Sequence, residues 1–160
     1  MPEIKKKVTP RETFKVFPSG SPYVKANGPL YFNKTHENSI ELGFLVQEKH
    51  TNLPGVCHGG VLVMLLDSAM AVEVIYKVAP EKITPTISLT CNFLHPAKLG
   101  QFLVIRSEVV RSTKRHAFVR CIISHDEELI ASAEAVYLLP ERNTLGFNLK
   151  KIIDEVSFYS

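Results

Sequence analysis

Apolar residues change their spacing along this chain, and the change divides it into elements. From residue 59 to about residue 78, Val, Leu, Met and Ala fill nearly every helical turn, and no Gly or Pro follows Gly60 until Pro80. The run is longer than a strand, and its apolar positions cover most of a helix circumference. A helix buried on nearly every side is expected. The texture then becomes β-branched and aromatic. Residues 86–96, 102–111, 115–124 and 129–139 read as four strands, parted by short polar segments at 96–100, 112–114 and 125–128. Short turns between consecutive strands predict an antiparallel meander. Upstream, 30–32 and 39–47 read as two further strands split by a polar turn, and 48–57 as a loop holding Asn52, Pro54 and Gly55.

The ends carry weaker patterns. Residues 1–29 are rich in Lys, Pro, Ser and Gly and read as a peripheral arm with one short helix near 11–16. In the tail, Leu145, Leu149, Ile152, Ile153 and Val156 fall at helical spacing and predict a short amphipathic helix. The expected class is α+β: an antiparallel sheet of five or six strands curled around one helix, over residues 30–140, with an arm at 1–29 and a tail at 141–160. One sheet cannot cover a whole helix, so the leftover apolar surface predicts a dimer.

Composition narrows this picture a little. The 160 residues are 45% hydrophobic and 22% charged, ordinary values for one folded domain. A net charge of +3 gives no argument for nucleic acid. The basic start MPEIKKKVTP has no apolar stretch behind it and does not read as a secretory signal. The most apolar run, 59–78, contains Asp67, Glu73 and Lys77, so no membrane span is expected. Cys57, Cys91 and Cys121 are odd in number and widely spaced, which predicts neither disulfides nor a zinc site and suits a cytoplasmic setting.

The chemistry gathers at the helix. Its start offers only His58 as a side-chain cap, followed by Gly59 and Gly60. Uncapped amides at the positive end of a helix form an oxyanion site, whereas the glycines could equally serve close packing. Asp67 lies within the apolar run, where a carboxylate must be paired or wet. Gly59 and Asp67 are eight residues apart, about 12 Å of rise and about 80° of rotation. They cannot easily meet at one carbonyl carbon, so if both act they come from two chains. Asn52 could hold a water or a carbonyl oxygen, or simply make a turn. Thr86 offers a hydroxyl at a strand start, and Glu73, on another face of the helix, reads as structural. Cys57 beside His58 lacks a third orienting group and is rejected as a nucleophile. The basic turn with Arg111, Lys114 and Arg115 is either a solvated turn or a phosphate clamp. No HExxH, GxSxG or P-loop is present, so no metal or separate cofactor is expected.

The run His50-Thr51-Asn52-Leu53-Pro54-Gly55-Val56-Cys57-His58-Gly59-Gly60, continuing through the apolar helix to Asp67, resembles the signature of PaaI-like hotdog thioesterases. The later run from Thr86 to Pro96-Ala97 resembles that family's strand ending in a Pro-Ala turn. The resemblance covers about residues 30–139. It implies a hotdog fold in homodimers, often paired into tetramers, acting on acyl-CoA. By similarity the Gly59 amide polarises the thioester carbonyl, and the neighbouring subunit's aspartate, equivalent to Asp67, acts as nucleophile or general base. Asn52 and His58 orient the site, Thr86 positions water, Gly60 helps bind substrate, and Arg111, Lys114 and Arg115 approach the CoA phosphates. Thr113 departs from the pattern, standing at a turn position that is often Gly. Two rivals share the fold. A non-catalytic acyl-CoA sensor would need a DNA-binding segment, for which the arm is short; a dehydratase would carry a different His/Asp arrangement.

Overall fold

The computed structural model describes residues 11–35, 38–142 and 146–158. At its centre lies α2 (Gly59–Lys77), with Leu65, Leu66, Met70 and Val74 fully buried. Around it curls an antiparallel sheet of seven strands: β1 (Lys15–Val16), β2 (Leu30–Lys34), β3 (Ile40–Leu45), β4 (Thr86–Phe93), β5 (Phe102–Ser112), β6 (His116–His125) and β7 (Glu128–Leu138). The pairing order is β1-β2-β3-β5-β6-β7-β4. Period-two alternation sets the inner face. On β6 it is Ala117, Val119, Cys121 and Ile123, and on β7 Ala131, Ala133, Ala135 and Tyr137, all buried. This is the hotdog arrangement, with α2 as the filling.

Two expectations change. The sheet has seven strands because Lys15–Val16 pairs onto β2, so the arm contributes an edge. The expected helix near 11–16 is a 3-10 turn at Arg11–Thr13, and α1 (Pro22–Asn27) was not foreseen. Its start is a sequence signal all the same: Ser21 caps the Val24 N–H and proline occupies the first helical position. Second, the last four strands are not a meander. β4 pairs with β7 at one edge, and β5 pairs with β3 in the middle. The connection between them is held under the loop before α2: the Cys57 N–H donates to Ala97 O, Val56 bridges Lys98, and the Gly100 N–H donates to Val46 O. A short connection in sequence does not distinguish a hairpin from such a crossing.

As expected of one sheet around one helix, a flank of α2 is left uncovered. Val61, Val63, Asp67, Ser68, Ala71 and Ile75 are only half-buried. By length and composition α2 is apolar enough to cross a membrane, yet it is the sheet-wrapped core helix, in line with the expected burial. Its far end is held by α3 (Leu149–Phe158), whose Leu149 and Ile153 are buried. The Tyr76 hydroxyl donates to Asp154 Oδ1 at 2.8 Å, and the Lys34 ammonium reaches the same oxygen at 2.8 Å. Leu145 lies outside the described residues. Glu73 is structural, as expected: buried within α2, it accepts the Ile40 N–H at the start of β3.

Candidate active site

The start of α2 is built by a relay of backbone and ring contacts. His50 is buried in the short 3-10 turn Glu48–His50. Its carbonyl accepts the His58 N–H at 2.8 Å. His58 then caps the helix, its Nδ1 accepting the Gly60 N–H at 2.9 Å. A side chain on Gly60 would meet that ring nitrogen at 3.0 Å, so glycine is needed there for the cap itself. The Gly60 amide is therefore already engaged and is not available to a substrate. The Gly59 N–H is different, for it has no acceptor among the described residues. It lies at the positive end of a 19-residue helix, where a developing oxyanion is favoured.

Asn52 closes the loop before the helix. Its Oδ1 accepts the Val56 N–H at 3.2 Å and its own N–H donates to Val56 O at 2.8 Å, which closes the turn. Gly55 follows in the left-handed region at φ 82°.

Eight residues along α2, Asp67 is half-buried. Its Oδ1 receives two hydroxyls at 2.8 Å, Thr86 Oγ1 from β4 and Tyr137 OH from β7. Thr86 and Tyr137 are register partners, so one row across the sheet presents both. Two donors on one oxygen fix the carboxylate and leave Oδ2 without a partner among the described residues. Tyr137 is fully buried; that burial, then the neighbouring carboxylate, pushes its phenol well above the usual range, and it stays a donor.

Gly59 and Asp67 both face β4 but at opposite ends of it. A side chain on Gly59 would touch the Phe93 ring at 3.4 Å, while Asp67 bonds Thr86. Within one subunit they do not converge. Beside Gly59 lies a cavity of about 320 Å³ lined by Cys57, Leu62, Phe93, Leu94, Pro96 and Ala97 among others, mostly apolar. Burial pushes the Cys57 thiol up to about 11, which removes it as a nucleophile near neutrality. Among the described residues no three His, Cys, Asp or Glu side chains converge as metal ligands do.

Arg111, Lys114 and Arg115 are exposed at the β5–β6 hairpin, with none of them near Gly59 in the sheet register. The hairpin lies at the Asp67 end, since Ser112 pairs Ala117, which pairs Tyr137. Thr113 replaces the commoner glycine with a hydroxyl turn, its Oγ1 accepting the His116 N–H at 3.0 Å and the Arg115 N–H at 3.3 Å. Sequence reasoning missed Tyr137 and Phe93. A signal for Tyr137 exists: it continues the inner row of alanines, and a buried tyrosine needs a hydroxyl partner.

The model of the thioesterase superfamily matches residues 54–132, which span Gly59, Asp67 and Thr86. The chain belongs to the thioesterase superfamily. Its fold is the hotdog fold. It is similar to a candidate esterase of Pseudomonas aeruginosa, 28% identical over 129 residues, which cover 81% of this chain and 96% of the relative. It is also similar to human acyl-coenzyme A thioesterase 13, 27% identical over 110 residues, which cover 68% of this chain and 76% of the relative. Among solved folds, a variant of the phenylacetic acid degradation protein PaaI from Thermus thermophilus superposes with a TM-score of 0.67 at 22% identity, covering 75% of this chain and all of that one.

Proposed function

We propose that this thioesterase-superfamily chain hydrolyses acyl-CoA thioesters to a free acid and CoA, in an active site shared by two subunits. The observation that carries the reading is the pair of open groups on α2. A free Gly59 N–H stands at one end of β4 and a free Asp67 Oδ2 at the other, both against an exposed edge strand. Pairing two copies antiparallel through β4 sets the Thr86 end of one strand against the Phe93 end of the other. The oxyanion donor of each subunit then meets the carboxylate of its neighbour. The same pairing covers the half-buried flank of α2, as the homodimer expectation requires.

In the reaction, the Gly59 amide polarises the thioester carbonyl. The Asp67 carboxylate takes a proton from water as its oxygen bonds to the carbonyl carbon, the C–S bond breaks, and the CoA thiolate leaves and receives that proton. Thr86 and Tyr137 hold the carboxylate in place, and His58 leaves the Gly59 N–H as the open donor. The cavity beside Gly59 takes the thioester arm, and Arg111, Lys114 and Arg115 suit the CoA phosphates. The name of the human relative supports the acyl-CoA substrate. The unpaired cysteines suit a reducing, cytoplasmic compartment.

The test is thiol release over a panel of acyl-CoAs, with Asp67→Ala beside wild type. Wild type turns over at least one ester, and Asp67→Ala falls by about a thousandfold or more with its fold intact. Near wild-type turnover in the variant sinks the role of Asp67. Tight binding of CoA esters with no turnover on any of them moves the chain to a non-catalytic acyl-CoA sensor.

A further inference from the structure

The arm before β2 has no part in the reaction as drawn, yet its contacts run into the site. At the end of α1, three successive carbonyls face the turn Glu48–His50. Ala26 O and Gly28 O accept from Lys49 Nζ at 3.1 and 3.0 Å. Asn27 O lies 2.8 Å from His50 Nε2. The other ring nitrogen, Nδ1, accepts the Gln47 N–H at 3.0 Å. A ring that accepts at Nδ1 and faces a carbonyl at Nε2 must be the neutral Nε2–H tautomer. The ring is 2% exposed and packs on Phe44 with centroids 4.6 Å apart, so it has one orientation available.

From His50 the contacts continue without a gap. The His50 carbonyl takes the His58 N–H at 2.8 Å, and the His58 ring takes the Gly60 N–H at 2.9 Å. The Gly59 N–H is the amide that this chain of contacts leaves open. Its direction therefore depends on where His58 is held, and His58 is held by His50. We infer that the arm is a working part of the active site: the end of α1, gripping Lys49 and His50, positions the oxyanion donor at the start of α2, with His50 as the positioning residue. The inference rests on the thioesterase reading for its kinetic consequence, though not for its structural one.

The preorganisation of a donor is worth most when its placement is tight, and a displacement of about 1 Å can cost about a hundredfold in rate. His50→Phe fills the space beside Phe44 but removes both polar contacts of the ring. His50→Gln keeps an amide donor toward Asn27 O. Lys49→Met touches only the exposed link to α1 and leaves the core alone. With ¹⁵N-glycine labelling, the Gly59 and Gly60 amide signals report the helix start directly, whether or not a substrate is known.

The expected result is a shift of both glycine signals in His50→Phe and a smaller one in Lys49→Met. Turnover drops by about tenfold or more in His50→Phe and about twofold to threefold in Lys49→Met, carried by kcat with KM nearly unchanged. His50→Gln recovers kcat to within about threefold of wild type. Unmoved glycine signals and unmoved kcat in folded His50→Phe overturn the inference. If that variant does not fold, unmoved signals in Lys49→Met overturn it instead. Wild type inert on every acyl-CoA, with glycine signals that still respond, fails the thioesterase reading and leaves the positioning role standing.

Discussion

The two edges of this sheet are finished in opposite ways. At one, β1 is two residues long, and the chain before it lies on the sheet face, with Arg11 over the Phe102 ring of β5 and Phe14 edge-on to the same ring. Gly43 of β3 is bare because those two phenyl rings occupy the space a side chain would need. At the other edge, β4 runs eight residues, most of them exposed, with Ile87 at 54% and Phe93 at 55%. A long exposed edge is a liability unless it is paired. The first edge is closed by the chain's own arm, whereas the second is left for another chain. Both open chemical groups, the Gly59 N–H and Asp67 Oδ2, lie along the second.

The largest effect expected from that contrast is complementation. Gly59→Pro removes the Gly59 N–H at a helix position that proline tolerates, and Asp67→Ala removes the carboxylate of the other half-site. Each variant alone falls to about a thousandth of wild type or lower. When the two are unfolded together and refolded as a mixture, half of the dimers are mixed, and each mixed dimer keeps one intact site. Thiol release then returns to about a quarter of the wild-type rate. A mixture as inactive as its components would place each site inside a single subunit and leave β4 without a role in catalysis.

A smaller effect separates the carboxylate from its holders. Tyr137→Phe leaves Thr86 as the only hydroxyl on Asp67 Oδ1 and keeps the buried ring. The expected loss is about tenfold in kcat, with about 1 kcal/mol of stability from the lost hydrogen bond. Steady-state kinetics and urea unfolding measure the two separately. A kcat equal to wild type would mean that Thr86 alone holds Asp67.

Much of this was legible in the sequence, and what was missed has a common cause. Helix α2 was placed to within a residue, because its apolar run ends at signals that act locally: a capping His58 and a halting Pro80. The strands followed from period-two texture. Gly59 and Asp67 could be separated by helical rise alone. The pairing of β4 with β7 could not be read, because it is fixed by contacts between residues 56–57 and 97–98, far apart in the chain. Tyr137 and the grip of α1 on His50 were missed for the same reason. Each is an ordinary residue locally and acquires its role from a partner 70 or 23 positions away.

The smallest effect belongs to the closed edge and concerns pH. Burial pulls the His50 ring below its ordinary value of 6.5, against the opposing pull of Asn27 O, and the Gln47 N–H needs Nδ1 unprotonated. In the unfolded chain the ring protonates near that ordinary value, so below it the unfolded state binds more protons than the folded one. Stability from this group is thus full above about pH 6.5 and is lost as pH falls through the lowered folded value. His50→Gln has no such titration. Urea midpoints of wild type and His50→Gln should differ most near about pH 7.5 and converge toward about pH 5. Comparing the two cancels every contribution that the substitution leaves unchanged. A gap that widened instead as pH fell would mean the ring carries its proton in the folded chain, and the arm would then grip His50 by charge rather than by the neutral tautomer.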